Sequence, residues 1–97
     1  MSAFPLSRND ASANVHDMHV TALLFASYAD ALGRPAVELS LPDGSTVGDA
    51  LGRLRGMPGG GSLPAAPLVA VNLAYAKPEV VLAHGDELAL IPPVAGG

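Results

Sequence analysis

The sequence predicts an α+β domain. Three observations carry that prediction. Short apolar or alternating runs recur along the chain and read as strands. Only one segment shows a full helical period with a capping signature at its start. Turn residues punctuate the runs at short intervals. With strands outnumbering helices, one main helix has to cover one face of a sheet. The 97-residue length suits a single domain.

From the N-terminus, residues 1–18 are polar and small with no apolar period, and read as a flexible arm. Within its end, "HDMH" places His16 and His19 three apart. No carboxylate or thiolate cluster accompanies them, so a metal site is not predicted and His19 is read as opening a strand. "VTALLFA" (Val20 to Ala26) is an apolar run expected to form a strand buried on both faces. "SYADALG" comes next as a short helix, with Ser27 as its N-cap and Gly33 as its stop. Pro35 blocks continuation.

"AVELSL" then alternates, with Val37, Leu39 and Leu41 on one side and Glu38 and Ser40 on the other, the pattern of a half-buried strand. "PDGS" (Pro42 to Ser45) is a turn. The main helix comes after it. Thr46 and Asp49 stand at capping-box spacing, and Val47, Ala50, Leu51 and Leu54 share one face. Arg53 and Arg55 lie near its end, where the dipole favours cations. Gly48 and Gly52 each cost a helix about 1 kcal/mol against Ala, which suggests close packing on the sheet.

"GMPGGGSLPAAP" (Gly56 to Pro67) reads as a flexible connector. Its triple glycine lacks the preceding strand, the succeeding helix and the closing Lys-Ser/Thr of a phosphate cradle. "LVAVN" (Leu68 to Asn72) is a strand, "AYAKP" a short edge strand ended by Pro78, "LAHGDE" a turn with Gly85 at positive φ, and "LALI" (Leu88 to Ile91) the last strand. Asp86 and Glu87 sit at a turn with only His84 as partner and read as structural charges rather than an acid/base pair. Tyr28 and Tyr75 read as packing residues, and Lys77 as a surface residue.

Composition narrows the function. The net charge of −4 and the scattered Lys/Arg exclude a basic nucleic-acid stripe. The lack of cysteine removes disulfides, thiolate metal sites and a cysteine nucleophile. No apolar run approaches the ~20 residues of a membrane span, and no signal peptide opens the chain, so a cytoplasmic protein without a bound cofactor or metal is expected.

The terminus is the informative segment. Pro92 and Pro93 lack a backbone N–H and hold φ near −65°, which stops a strand and projects the last residues away from it in extended form. Val94 and Ala95 keep the stalk fairly stiff, while Gly96 and Gly97 carry no side chain. From Pro92 to Gly97 such a segment reaches roughly 18–20 Å, enough to thread a narrow channel in a partner. A free α-carboxylate is ionised at neutral pH and a poor electrophile. It must first be activated, most simply as an acyl-adenylate made from ATP by a separate enzyme. An amine would then give a conjugate, and sulfur a thiocarboxylate.

Four stretches carry a family resemblance: "LLFASYADALG" (Leu23 to Gly33), "STVGDAL" (Ser45 to Leu51), "VAVN" (Val69 to Asn72) and "HGDELALIPPVAGG" (His84 to Gly97). With them the chain resembles the MoaD/ThiS superfamily of ubiquitin-like sulfur carriers, and among these the small subunits of molybdopterin synthase. The resemblance covers Val20 to the end. It implies a β-grasp fold, a mixed sheet of four to five strands with one main and one short helix, over residues 19–91, with the tail at 92–97. It further implies that an activating enzyme adenylates Gly97, that a sulfur transferase converts it to a thiocarboxylate, and that the large synthase subunit accepts the tail. The sulfur would then enter the dithiolene of molybdopterin, with the catalytic side chains on the large subunit. The resemblance makes Gly97 the expected reacting residue, Gly96 its clearance partner, and the apolar sheet face the expected docking surface. Sulfur carriers for cysteine or thiamine biosynthesis, a ubiquitin-like protein modifier and a non-catalytic interaction domain stand as alternatives.

Overall fold

A computed structural model describes residues 17–93. The elements are β1 (Asp17–Leu24), α1 (Ala26–Leu32), β2 (Ala36–Pro42), α2 (Val47–Arg55), a 3₁₀ turn (Gly60–Ser62), β3 (Leu68–Val71), β4 (Ala74–Tyr75) and β5 (Glu87–Ile91). The strands form one mixed sheet in the order β2-β1-β5-β3-β4. β1 and β5 run parallel at its centre, and every other neighbouring pair is antiparallel.

Side-chain alternation decides what lies on each face. Met18, Val20, Ala22 and Leu24 of β1 are buried, as are Val37, Leu39 and Leu41 of β2 and Leu88 and Leu90 of β5. Against them pack Val47, Ala50, Leu51 and Leu54, the stripe expected of α2, together with Tyr28, Leu63, Val69 and Leu82. The capping box that starts α2 is complete. The Thr46 hydroxyl accepts from the Asp49 N–H at 3.2 Å, and the Asp49 carboxylate accepts from the Thr46 N–H at 2.9 Å. α1 ends on Gly33 at φ +74°, the left-handed stop expected of it.

Five expectations need correction. β1 begins at Asp17, ahead of the His19 and Val20 expected to open it, and pairs with β2 from its first residue. Met18 is 1% exposed, so the arm is at least two residues shorter than composition suggested. β1 is also not buried on both faces. His19 is exposed and Thr21 and Leu23 are half-buried, because the helices cover one side of the sheet only.

The N-cap of α1 is Phe25 rather than Ser27, and no side chain caps it. Ala26 takes φ +47° as the chain swings from strand into helix.

The Gly56 to Pro67 segment is no flexible connector. Gly60 and Leu63 are buried, and the Arg55 guanidinium donates to the Leu63 carbonyl at 3.3 Å. A Cβ on Gly59 would fall 2.0 Å from the Ala31 carbonyl oxygen, and one on Gly60 2.0 Å from that of Leu54. These glycines let the loop wedge against the ends of both helices, which Gly-rich composition alone does not distinguish from slackness.

Gly48 does pack closely, but against the loop before β5 rather than the sheet. Its N–H donates to the Pro78 carbonyl at 2.9 Å. Gly52 faces open space.

Candidate functional site: the root of the tail and the open sheet face

β5 delivers the chain to the tail. Ile91 is its last residue, Pro92 is half-buried and Pro93 exposed. Val94, Ala95, Gly96 and Gly97, the remaining residues of the expected site, lie outside the described residues, as do residues 1–16 with His16 among them.

Around the root lies an apolar groove of about 360 Å³ lined by Tyr28, Pro67, Leu68, Ile91 and Pro93 among others. No charged side chain lines it among the described residues. The Gly/Pro-rich loop supplies one wall, so the segment expected to be a connector helps build the setting of the tail.

The open face of the sheet divides into two halves. Register aligns Ala36 with Leu23, Leu23 with Ala89, Ala89 with Ala70, and Ala70 with Tyr75, giving an apolar row across all five strands. The next row toward the tail pairs Ile91 with Leu68. Leu68 is 51% and Tyr75 73% exposed. Tyr75 is thus a surface ring rather than the packing residue expected, while Tyr28 is buried.

Away from the tail the face turns polar. The Thr21 hydroxyl donates to the Glu38 carboxylate at 3.0 Å, and the His19 and His84 rings meet edge to face with centroids 5.6 Å apart. The His19 N–H donates to Nδ1 of His84 at 3.0 Å.

Asp86 is a fastener, as its turn position suggested. Its carboxylate accepts from the Ala83 N–H at 2.8 Å and from the Asn72 side-chain amide at 2.9 Å, while the Asn72 side-chain oxygen accepts from the Glu87 N–H at 3.0 Å. These bonds tie the β3–β4 turn to the start of β5. The described residues contain no cluster of three or more metal-ligating side chains. No helix among them is long and apolar enough to cross a membrane.

A five-stranded mixed sheet backed by helices, with its last central strand running out through two prolines beside an apolar surface, defines a ubiquitin-like β-grasp protein. The chain belongs to the ThiS family, whose model matches residues 22–97.

A curated relative, the molybdopterin synthase sulfur carrier subunit of Arabidopsis thaliana, is 32% identical over 87 residues, covering 89% of this chain and 91% of the relative. The crystal structure of SAMP1 from Haloferax volcanii superposes with a TM-score of 0.72 at 35% identity, covering 81% of this chain and 99% of that one. A protein–protein complex of subunits 1 and 2 of molybdopterin-converting factor from Helicobacter pylori contains the same fold, at a TM-score of 0.61 and 20% identity over 82% of this chain and all of that one.

The prolines and the apolar residues of the open sheet face are legible in the sequence, whereas the groove and the exposure of Tyr75 are not. The available signal was β5 itself: "ELALI" has apolar residues at Ala89 and Ile91 as well as at Leu88 and Leu90, so both of its faces had to be apolar.

Proposed function

We propose that this chain is a sulfur carrier for molybdopterin synthesis. Gly97 is adenylated by a ubiquitin-activating-type enzyme that consumes ATP, and a sulfur transferase replaces AMP to leave a thiocarboxylate. The tail then enters a large synthase subunit, which takes the sulfur for the dithiolene. The carrying observation is the alignment with the Arabidopsis thaliana sulfur carrier subunit over nearly the whole of both chains. The apolar row and the groove at the tail root support it, since a partner that grips the tail must meet these surfaces first. The Helicobacter pylori complex supplies a precedent for a chain of this fold seated on a second subunit.

The test is the intact mass of the chain isolated from its own host. A shift of one oxygen replaced by sulfur, localised to Gly97, is expected. A chain found only as the unmodified carboxylate while molybdopterin is being made would overturn the proposal.

The SAMP1 likeness favours a second reading, that of a ubiquitin-like modifier. Gly97 would then be joined to amines of other proteins. High-molecular-weight conjugates that vanish on deletion of Gly97 are its signature.

A further inference from the structure

We propose that β2 is a self-pairing edge: two copies of this chain join antiparallel along it about a two-fold axis at Ala36, with Arg34 of each copy opposite Glu38 of the other. β2 and β4 are the outer strands of the sheet. β4 is two residues long, and Lys77 and Pro78 follow it closely, so it offers little to pair with. β2 is seven residues long, and proline enters only at its last position, Pro42.

The register fixes which backbone groups of β2 point outward. The Leu24 N–H donates to the Pro35 carbonyl at 2.8 Å, in line with the β1–β2 ladder. Hydrogen-bonded and non-bonded pairs alternate in an antiparallel ladder, so Val37, Leu39 and Leu41 bond to β1, while Ala36, Glu38 and Ser40 turn their N–H and C=O groups out. β1 agrees. The N–H groups of Thr21 and His19, opposite Glu38 and Ser40, point the other way, to the Asp86 carbonyl at 3.0 Å and to Nδ1 of His84 at 3.0 Å. The Arg53 guanidinium donates to the outward Ser40 carbonyl at 3.0 Å. Among the described residues, no turn, loop or side-chain hydrogen bond reaches the backbone of Ala36 or Glu38, and both residues are exposed.

Charge selects the occupant. A lone charge on an edge strand ordinarily keeps other strands off it. Here the outward residues read Arg34, Ala36, Glu38: a cation, a small residue and an anion. Pro35 holds Arg34 extended, in line with the strand. Reversed, that order is its own complement. Centred on Ala36, a second copy sets its Arg34 opposite Glu38 and its Glu38 opposite Arg34, and opposite charges directly across a ladder attract. The two Ala36 residues exchange N–H···O bonds across the axis, and each Glu38 N–H meets the Arg34 carbonyl of the other copy. The Arg34 N–H is already used, donating to the Ala29 carbonyl at 3.1 Å. A ladder centred on Glu38 would instead oppose two carboxylates. The pairing joins two five-stranded sheets into one and uses no residue of the tail. β5 lies two strand spacings away, about 10 Å, so the tail root stays open in both copies and the inference is independent of the carrier reading.

One edge buries less than a standard interface, so the expected dimer is weak, with a Kd of roughly 0.1–1 mM. Sedimentation equilibrium of the full chain from about 0.02 to 2 mM reads it. R34E and E38R each set like charges opposite one another and should weaken dimerisation about tenfold or more. The R34E/E38R double variant exchanges the pair and should return the Kd to within about threefold of the parent, which requires the two side chains to meet across copies. Urea unfolding of the same variants checks that each is folded. A monomer throughout that range, a dimer that either single variant leaves intact, or a double variant that stays monomeric would each overturn the proposal. So would slow amide exchange at Ala36 and Glu38 in the dilute monomer, which would mean that residues 1–16 of the same chain cover the edge.

Discussion

At the scale of single residues, the glycines separate into those the fold needs and those it tolerates. Gly59 sits at φ +85° against the Ala31 carbonyl, and Gly60 is buried against Leu54. A methyl at either site has backbone, not a flexible side chain, in its way. Gly60→Ala is expected to lower stability by about 1–3 kcal/mol or more, read as a lower urea midpoint. Gly52→Ala is the control, since nothing lies within 4 Å of its missing Cβ and it is inside α2. It should raise stability by about 0.5–1 kcal/mol in the same measurement. Leu73 poses the reverse problem. It is 95% exposed and held at φ +74° after Asn72 at φ +49°, a pair of left-handed residues in a two-residue hairpin turn. Asn-Gly is the preferred pair for such a turn, so Leu73→Gly should stabilise the domain by about 0.5–1 kcal/mol in urea unfolding. A Leu73→Gly protein no more stable than its parent would show that the exposed leucine makes a contact offsetting its backbone strain.

At the scale of elements, the most legible segment is the one whose signals are local. α2 announces itself through Thr46 and Asp49 and through four apolar residues at helical spacing, all of which the structure uses as expected. Thr46→Ala removes the acceptor for the Asp49 N–H and should cost about 1 kcal/mol, measured as a thermal or urea shift. β2 is equally legible, because strict alternation leaves one register in which Val37, Leu39 and Leu41 all reach the core. β1 is less so, because its burial depends on what covers each face. The run Leu23-Leu24 looks doubly buried, yet only Leu24 meets the helices. The Gly56 to Pro67 segment misleads for a related reason. Glycine permits both a loose loop and a close approach, and only the positions of Ala31 and Leu54, distant in sequence or fixed by the helix end, select the second.

At the scale of the whole molecule, the division of labour between the two sheet faces gives the last prediction. One face is closed by α1, α2 and the wedge loop, so its residues answer to stability. The other carries Leu23, Ala89, Ala70 and Tyr75 in one row and Ile91 with Leu68 in the next, beside the point where Pro92 and Pro93 leave the body. This surface is partly visible in the apolar residues on both faces of β5, but its continuity needs the strand order, which no local signal contains. Leu68 is half exposed and lies at an end of β3, so Leu68→Asp should change the unfolding free energy by less than about 1 kcal/mol. A charge set into the apolar patch should nonetheless weaken association with a tail-accepting large subunit by about 1.5–2 kcal/mol, or roughly ten- to thirty-fold in Kd. Removal of residues 94–97 should leave the urea midpoint unchanged while abolishing sulfur transfer. Calorimetric titration against the large subunit, run beside urea unfolding of both variants, separates these effects. If Leu68→Asp bound as tightly as the parent chain, the open face would have no part in docking, and recognition would rest on the tail and the groove wall formed by Tyr28 and Pro67.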